Sequence, residues 1–299
     1  MLFRSLPSLC GNLLKAHGQS LQKVVTPSLG SLVDIPSYLR SAVPLSSTSK
    51  HVTRYDHELS DIMHKNKEWV SASPPEVFEQ MERTQNPEIF YIGCCDARVP
   101  ANVIMGLGAN EVFVHRNVAN LVVATDVNLL SAVQFAVNNL DIKHIMLTGH
   151  YDCGGVRASM KNQGTDSDLL DSWLRNLRDV YRIHKTELDG IGDLEERHRR
   201  LVQKNVVEQC LNLFKVGVVQ KKRLFTYKRL MKVRKEGKVP EEAGIPNFVY
   251  PRIHAMVFNP GTGLLEKLHV DIRSELERLS SIYQLYEAED GSVVSESRK

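Results

Sequence analysis

Three short apolar runs rich in β-forming residues, IFYIGC at 89–94, EVFVHRNVA at 111–119 and HIMLTG at 144–149, are separated by segments with apolar residues at helical spacing. This alternation constrains the chain more than any other feature. Strands joined through helices lie parallel, and a parallel sheet is covered on both faces, so its strands read as near-continuous apolar runs. The expected fold is α/β: a largely parallel central sheet of about four strands with an antiparallel edge strand, flanked by helices. The late stretch FVYPRIHAMVFNP, the GTG turn and LLEKLHV supply the hairpin at that edge.

The helical segments can be placed as well. VPANVIMGLG reads as a short helix with Pro100 near its start and Gly106 at its end, and DVNLLSAVQFAVNNL as a long helix with Leu130, Val133, Val137 and Leu140 on one face. Upstream, Leu59, Ile62, Met63, Trp69 and Val70 recur at helical spacing. SPPEVFEQM opens a second helix, with Ser73 and Glu76 as a capping box and Pro74 at the first helical position. Two further helices are expected between 167 and 216, the second burying Cys210 as core packing. The basic stretch at 220–245 reads as a solvated helix and loop rather than an anion or partner patch.

Residues 1–33 hold no Asp or Glu but contain Arg4, Lys15, Lys23 and several serines and leucines. That is the composition of a mitochondrial transit peptide, so the expected location is the matrix, with the cytoplasm as the alternative. The expected organisation is an extension and linker at 1–50, one domain at 51–288 and a polar tail at 289–299. A net charge of +3 is too small to argue for nucleic acid. No apolar stretch approaches the ~20 residues of a membrane helix, so no membrane insertion is expected. The five cysteines are odd in number and sparse, which points away from a disulfide framework and toward metal or catalysis.

GHYDCGG at 149–155 offers His150 and Cys153 three residues apart, and GCCDAR at 93–98 ends the first strand with Cys94 and Cys95. One of these two cysteines with His150 and Cys153 makes a Cys2His set at the ends of parallel strands, where α/β sheets gather ligands. Thiolate and imidazole suit zinc, and three protein ligands leave a fourth position for water, the pattern of a catalytic site. No fourth ligand that would close a structural site is evident, because His115, His144 and His254 show no paired spacing. Gly154 and Gly155 open a helix whose amides could hold an anion or a substrate oxygen.

IGCCDARVP, GANEVFVHRNVANLV and GHYDCGGV together resemble the β-class carbonic anhydrases, in the family's order and spacing, over roughly residues 55–285 with an insertion near 222–246. The resemblance implies one zinc per chain on Cys94, His150 and Cys153, with Cys95 as packing. It implies that Asp96, clamped by Arg98, accepts a hydrogen bond from a zinc-bound hydroxide that attacks carbon dioxide. It also implies a homodimer or tetramer, with the N-terminal helices used in dimerisation and Gln85 donating into the pocket across the interface. Phe135 stands where a pocket tyrosine is often found. Some relatives have a closed form in which the aspartate takes water's place on zinc, with bicarbonate held by a tryptophan, an arginine and a tyrosine. Arg116 keeps that arginine, whereas Tyr91 and Phe258 stand at the other two positions, which weakens a bicarbonate regulatory site here. The expected activity is reversible hydration of carbon dioxide to bicarbonate and a proton, rising toward alkaline pH because two thiolates nearly cancel the metal's charge. The alternatives are hydrolysis of carbonyl sulfide or carbon disulfide on the same site, or a non-catalytic zinc-stabilised binding module. A thiol redox role for Cys94 and Cys95 lacks the C-x-x-C spacing.

Overall fold

The computed structural model describes residues 60–162, 168–279 and 282. The segment at 1–50 with Cys10, Leu59 and the tail at 289–299 lie outside the described residues. Five strands form one sheet in the order β2-β1-β3-β4-β5: β1 Ile89–Cys94, β2 Val112–Asn117, β3 His144–His150, β4 Arg252–Asn259 and β5 Leu264–Lys267. The first four are mutually parallel and β5 runs antiparallel on β4, as expected. In register, Cys94 lies opposite Asn117, and Gly93 opposite both Arg116 and Thr148. The carboxyl ends of β1 and β3 therefore finish side by side.

The helices are α1 Ser60–Ala72, α2 Pro75–Glu82, α3 Ala101–Met105, α4 Val127–Asn138, α5 Gly154–Ser159, α6 Leu169–Ile183, α7 Lys185–Asp189, α8 Leu194–Phe214, α9 Gly217–Lys235 and α10 Ile272–Leu279. Phe90 and Ile92 of β1, Ile145 and Leu147 of β3 and Val257 of β4 share one core with α4, α6 and α8. Full burial of each such side chain is worth ~1.5–3 kcal/mol, so this shared core fixes the sheet on which the strand ends meet. Gly106 ends α3 in the left-handed region (φ 66°), which glycine adopts without steric penalty.

Several local expectations need correction. Ser73 and Glu76 form no capping box. Ser73 Oγ donates back to the Trp69 carbonyl at 2.8 Å, Pro74 is the N-cap, and the first helical residue is Pro75. The buried face of α4 is Leu129, Val133, Ala136 and Val137, with Leu130 and Leu140 only partly covered, because Asp126 caps the helix and sets its rotation through the Asn128 and Leu129 amides. Three helices, not two, lie between 167 and 216, because the short α7 precedes α8. Cys210 is buried in the core as expected.

The basic stretch is only partly solvated. One face of α9 is packed: Arg223 donates to the Pro251 carbonyl at 2.7 Å, and Thr226 bonds the Tyr250 carbonyl and amide at 2.9 and 3.1 Å. Leu230, Ile245 and Val249 add a small second core. The helix thus anchors the approach to β4, which composition alone did not show.

Candidate metal centre

The ends of β1 and β3 bring Cys94 and His150 together, and a turn through Asp152 (φ 56°) returns Cys153 to the same point. Their ligand atoms lie within 4.8 Å of one another, all three residues are buried, and the two sulfurs are 3.8 Å apart. His150 Nδ1 is 3.0 Å from the Tyr151 carbonyl, which accepts its proton and leaves the Nε2 lone pair facing the sulfurs. That Nε2 is buried and has no hydrogen-bond partner. A buried orphan nitrogen is costly unless something binds it.

The thiols are poised for a cation. Cys94 is held well below the usual thiol range, chiefly by the hydrogen bond from Cys153 and with help from backbone amides. Cys153 is pushed up by the Cys94 charge beside it and by burial. Two buried sulfurs, with Cys94 favoured as the thiolate, and an imidazole nitrogen without a hydrogen-bond partner therefore lack a positive partner. A soft or borderline dication satisfies all three, and this donor set fits zinc. Among the described residues no other group of three such side chains converges.

Beside this cluster Arg98 grips Asp96 as a fork, with Nε 2.9 Å from Oδ1 and Nη2 2.7 Å from Oδ2, and the Arg98 amide also donates to Oδ1 at 2.9 Å. These bonds hold the Asp96 carboxyl down to about 2, so it is ionised at any ordinary pH. Its Oδ2 is 3.8 Å from His150 Nε2. Arg98 also bonds the Asp152 carboxylate and carbonyl at 3.2 and 3.0 Å.

Residues 89–230 match the family described as "Carbonic anhydrase". A carbonic anhydrase of Emericella nidulans is 44% identical over 247 residues, covering 81% of this chain and 98% of that protein. The chain belongs to the β-class carbonic anhydrases. Among solved structures, the Aspergillus fumigatus β-carbonic anhydrase CafA superposes with a TM-score of 0.60 at 31% identity, covering 76% of this chain and 99% of that one. One of two tetrameric β-carbonic anhydrases from Sordaria macrospora gives 0.58 at 31% identity, covering 71% and 97%.

The other expected site residues of this carbonic anhydrase are placed unevenly. Arg116 reaches the cluster's backbone: Nε donates to the Cys94 carbonyl at 2.8 Å and Nη2 to the Asp96 carbonyl at 2.5 Å. Tyr91 is fully buried, its ring lies where a side chain on Gly93 would have to sit, and burial pushes its phenol up to about 12. Phe258 is buried on β4, opposite His150 in register. Gly155 and Val156 direct their amides at the Cys153 sulfur, so the Gly155 amide serves the ligand, and Gly154 stands exposed. Gln85 is exposed before β1, and Phe135 is exposed on α4 against Phe113, at 5.8 Å between ring centres. Within one chain neither joins the cluster.

Cys95 corrects the packing expectation. It is exposed, because strand alternation turns it away from Cys94, and its amide is tied to the Asn117 carbonyl at 3.0 Å. Sequence reasoning missed Asp152, Arg157 and Glu195, which extend the Arg98 pairing, and His198, whose Nε2 sits 3.2 Å from the Cys153 carbonyl. Asp152 lies inside the HYDC motif, but its partners are distant in sequence. His144 and His254, without paired spacing in the chain, meet at 3.0 Å across β3 and β4, away from the cluster.

Proposed function

We propose that the chain hydrates carbon dioxide reversibly to bicarbonate and a proton, with one zinc held by Cys94, His150 and Cys153. The observation that carries this is the buried Cys2His cluster with its orphan His150 Nε2, set beside an ionised Asp96 clamped by Arg98. Zinc in that position would supply a Lewis acid that lowers the pKa of a bound water, though less than in an all-histidine site because the two thiolates offset its charge.

The protein's own groups then do the positioning. An ionised carboxylate can only accept hydrogen bonds, so an O–H group beside Asp96 points its hydrogen at the carboxylate and its lone pair away from it. The Arg98 fork fixes the carboxylate plane and therefore the direction of that lone pair. His150 is held in one tautomer by the Tyr151 carbonyl, so its Nε2 remains a donor to metal. Since Asp96 stays ionised far below neutrality, the alkaline rise in activity expected for a two-thiolate site does not come from its titration. The test is stopped-flow carbon dioxide hydration on protein of measured zinc content. Zinc-loaded protein that hydrolyses carbonyl sulfide but leaves carbon dioxide at the uncatalysed rate would overturn the reading.

The assembly proposed is a dimer or tetramer in which α1 and α2 pack on a neighbouring subunit and Gln85 enters the neighbour's pocket. Ile62, Met63, Trp69, Val70 and Met81 are exposed along these helices, and no residue of α2 is buried within the chain. The tetramers described for Sordaria macrospora are in keeping with it. Light scattering is expected to give at least a dimer, and an active monomer would refute the arrangement. The acid-poor segment at 1–33 remains the basis for proposing mitochondrial targeting, tested by locating a fluorescent fusion with and without it.

A further inference from the structure

Asp96 has two claims on it. Arg98 holds it, yet its Oδ2 lies 3.8 Å from the nitrogen that would ligate zinc. What keeps it with Arg98 matters, because an exposed arginine–carboxylate pair alone is worth only ~0–1 kcal/mol. The Arg98 side chain is 49% exposed and would hold no single geometry on that pairing alone.

The guanidinium is gripped from its other edge as well. Nη1 donates to Asp152 Oδ2 at 3.2 Å and Nη2 to the Asp152 carbonyl at 3.0 Å. Asp152 is in turn held by Arg157 from α5, whose Nη2 donates to Oδ1 at 2.9 Å. Arg157 closes a two-pronged pair with Glu195 in the first turn of α8, at 2.7 and 2.8 Å. The result is an alternating chain of charges, Glu195–Arg157–Asp152–Arg98–Asp96, tying the Asp96 clamp to two helices. Networks of this kind hold geometry where isolated surface pairs do not. The left-handed backbone at Asp152 (φ 56°) turns its carbonyl as well as its carboxylate toward Arg98.

We propose that Asp152, braced by Arg157 and Glu195, is a positioning residue that keeps Arg98 locked on Asp96 and so keeps the Asp96 carboxylate off the metal. This rests on the zinc-hydratase reading above and adds to it the element that selects the open arrangement. Asp152 touches neither substrate nor metal and acts only through Arg98.

The test uses Asp152→Asn and Glu195→Gln in the full-length protein, loaded with zinc for kinetics and with cobalt(II) for spectroscopy. Asparagine tolerates the left-handed backbone and keeps the volume, so the fold is retained. With full zinc content, Asp152→Asn is expected to lower kcat about threefold to tenfold, the loss of one or two charge-assisted hydrogen bonds, and to leave KM nearly unchanged. Its cobalt d–d absorption is expected to shift as a carboxylate joins the metal, with a smaller shift in the same direction for Glu195→Gln. In an Asp96→Asn background, where no carboxylate remains to move, Asp152→Asn is expected to leave the spectrum unaltered. An unchanged spectrum and turnover in both single variants would overturn the proposal. So would a spectral shift that persists in the Asp96→Asn background, because Asp152 would then act on the neighbouring ligand Cys153. Should Asp152→Asn lose metal, Glu195→Gln, whose side chain bonds Arg157 rather than any ligand, decides by the same readings. Wild-type protein that binds cobalt but hydrates no carbon dioxide would sink the functional reading, while the spectra would still decide the role of Asp152.

Discussion

Cys94→Ser is expected to bring zinc from one per chain to near zero and activity to the uncatalysed rate, while Cys95→Ser keeps both. A serine hydroxyl stays protonated near neutrality and is a poor zinc ligand, so the variant leaves only His150 and Cys153 on the metal. Cys95 cannot take over. Its side chain is exposed on the other side of the strand end, and partial desolvation of its sulfur together with the Cys94 charge beside it raises its thiol, disfavouring the thiolate that metal needs. The contrast between adjacent cysteines is the point of the experiment. Metal analysis and stopped-flow assay on the two purified variants read it directly, and the reverse pattern would show that the ligand has been assigned to the wrong sulfur.

Arg98→Ala is expected to keep zinc, since Arg98 is no ligand, and to lower kcat/KM about 100-fold, the scale on which a misplaced catalytic group costs rate. Without the fork, Asp96 loses both its fixed plane and its strongest partner. The same change has a signature in stability. The Asp96 carboxyl is depressed in the folded state, to about 2, chiefly by the Arg98 side-chain hydrogen bonds. Its contribution is therefore present above the unfolded value near ~3.9 and is lost as pH falls through about 2. Removing Arg98 lowers stability at neutral pH and flattens the acid limb between those values. Arg98 is half exposed and screened, so the effect is no more than ~1 kcal/mol. Denaturant unfolding from pH 7 down to 2, with the activity assay beside it, separates the two consequences. Full activity in Arg98→Ala would mean that Asp96 needs no clamp.

Much of this was legible because the decisive features are local. IFYIGC and HIMLTGH are short, mostly apolar runs, and their alternation with helical segments marks them as strands of a buried parallel sheet. Each carries a ligand at its own carboxyl end, so strand and ligand could be read as one unit. The Asp96–Arg98 pair spans two residues, so it could be read as a local unit without any partner from elsewhere in the chain. Even Asp126, starting its helix, behaves as an isolated helix cap would. The sequence by itself thus determined the sheet, the Cys2His donor set, the choice of Cys94 once the family resemblance was seen, and the carboxylate beside it.

The tertiary structure decided what depends on distance along the chain. Glu195 meets Arg157 across 38 residues and Arg98 meets Asp152 across 54, pairings that no periodicity encodes because they exist only after α5 and α8 have packed. The basic run at 220–245 was read as solvent-facing from its charges, yet Arg223 and Thr226 are buried because Tyr250 and Pro251 present backbone groups that need partners there. The family resemblance implies that Cys95 is packing, yet it is exposed, because nothing among the described residues packs over the side of the strand end to which alternation turns it. A side chain's own type announces what it can donate, accept or ligate; which partner receives it is set by packing between elements far apart in sequence, and that information is not written in any single stretch of the chain.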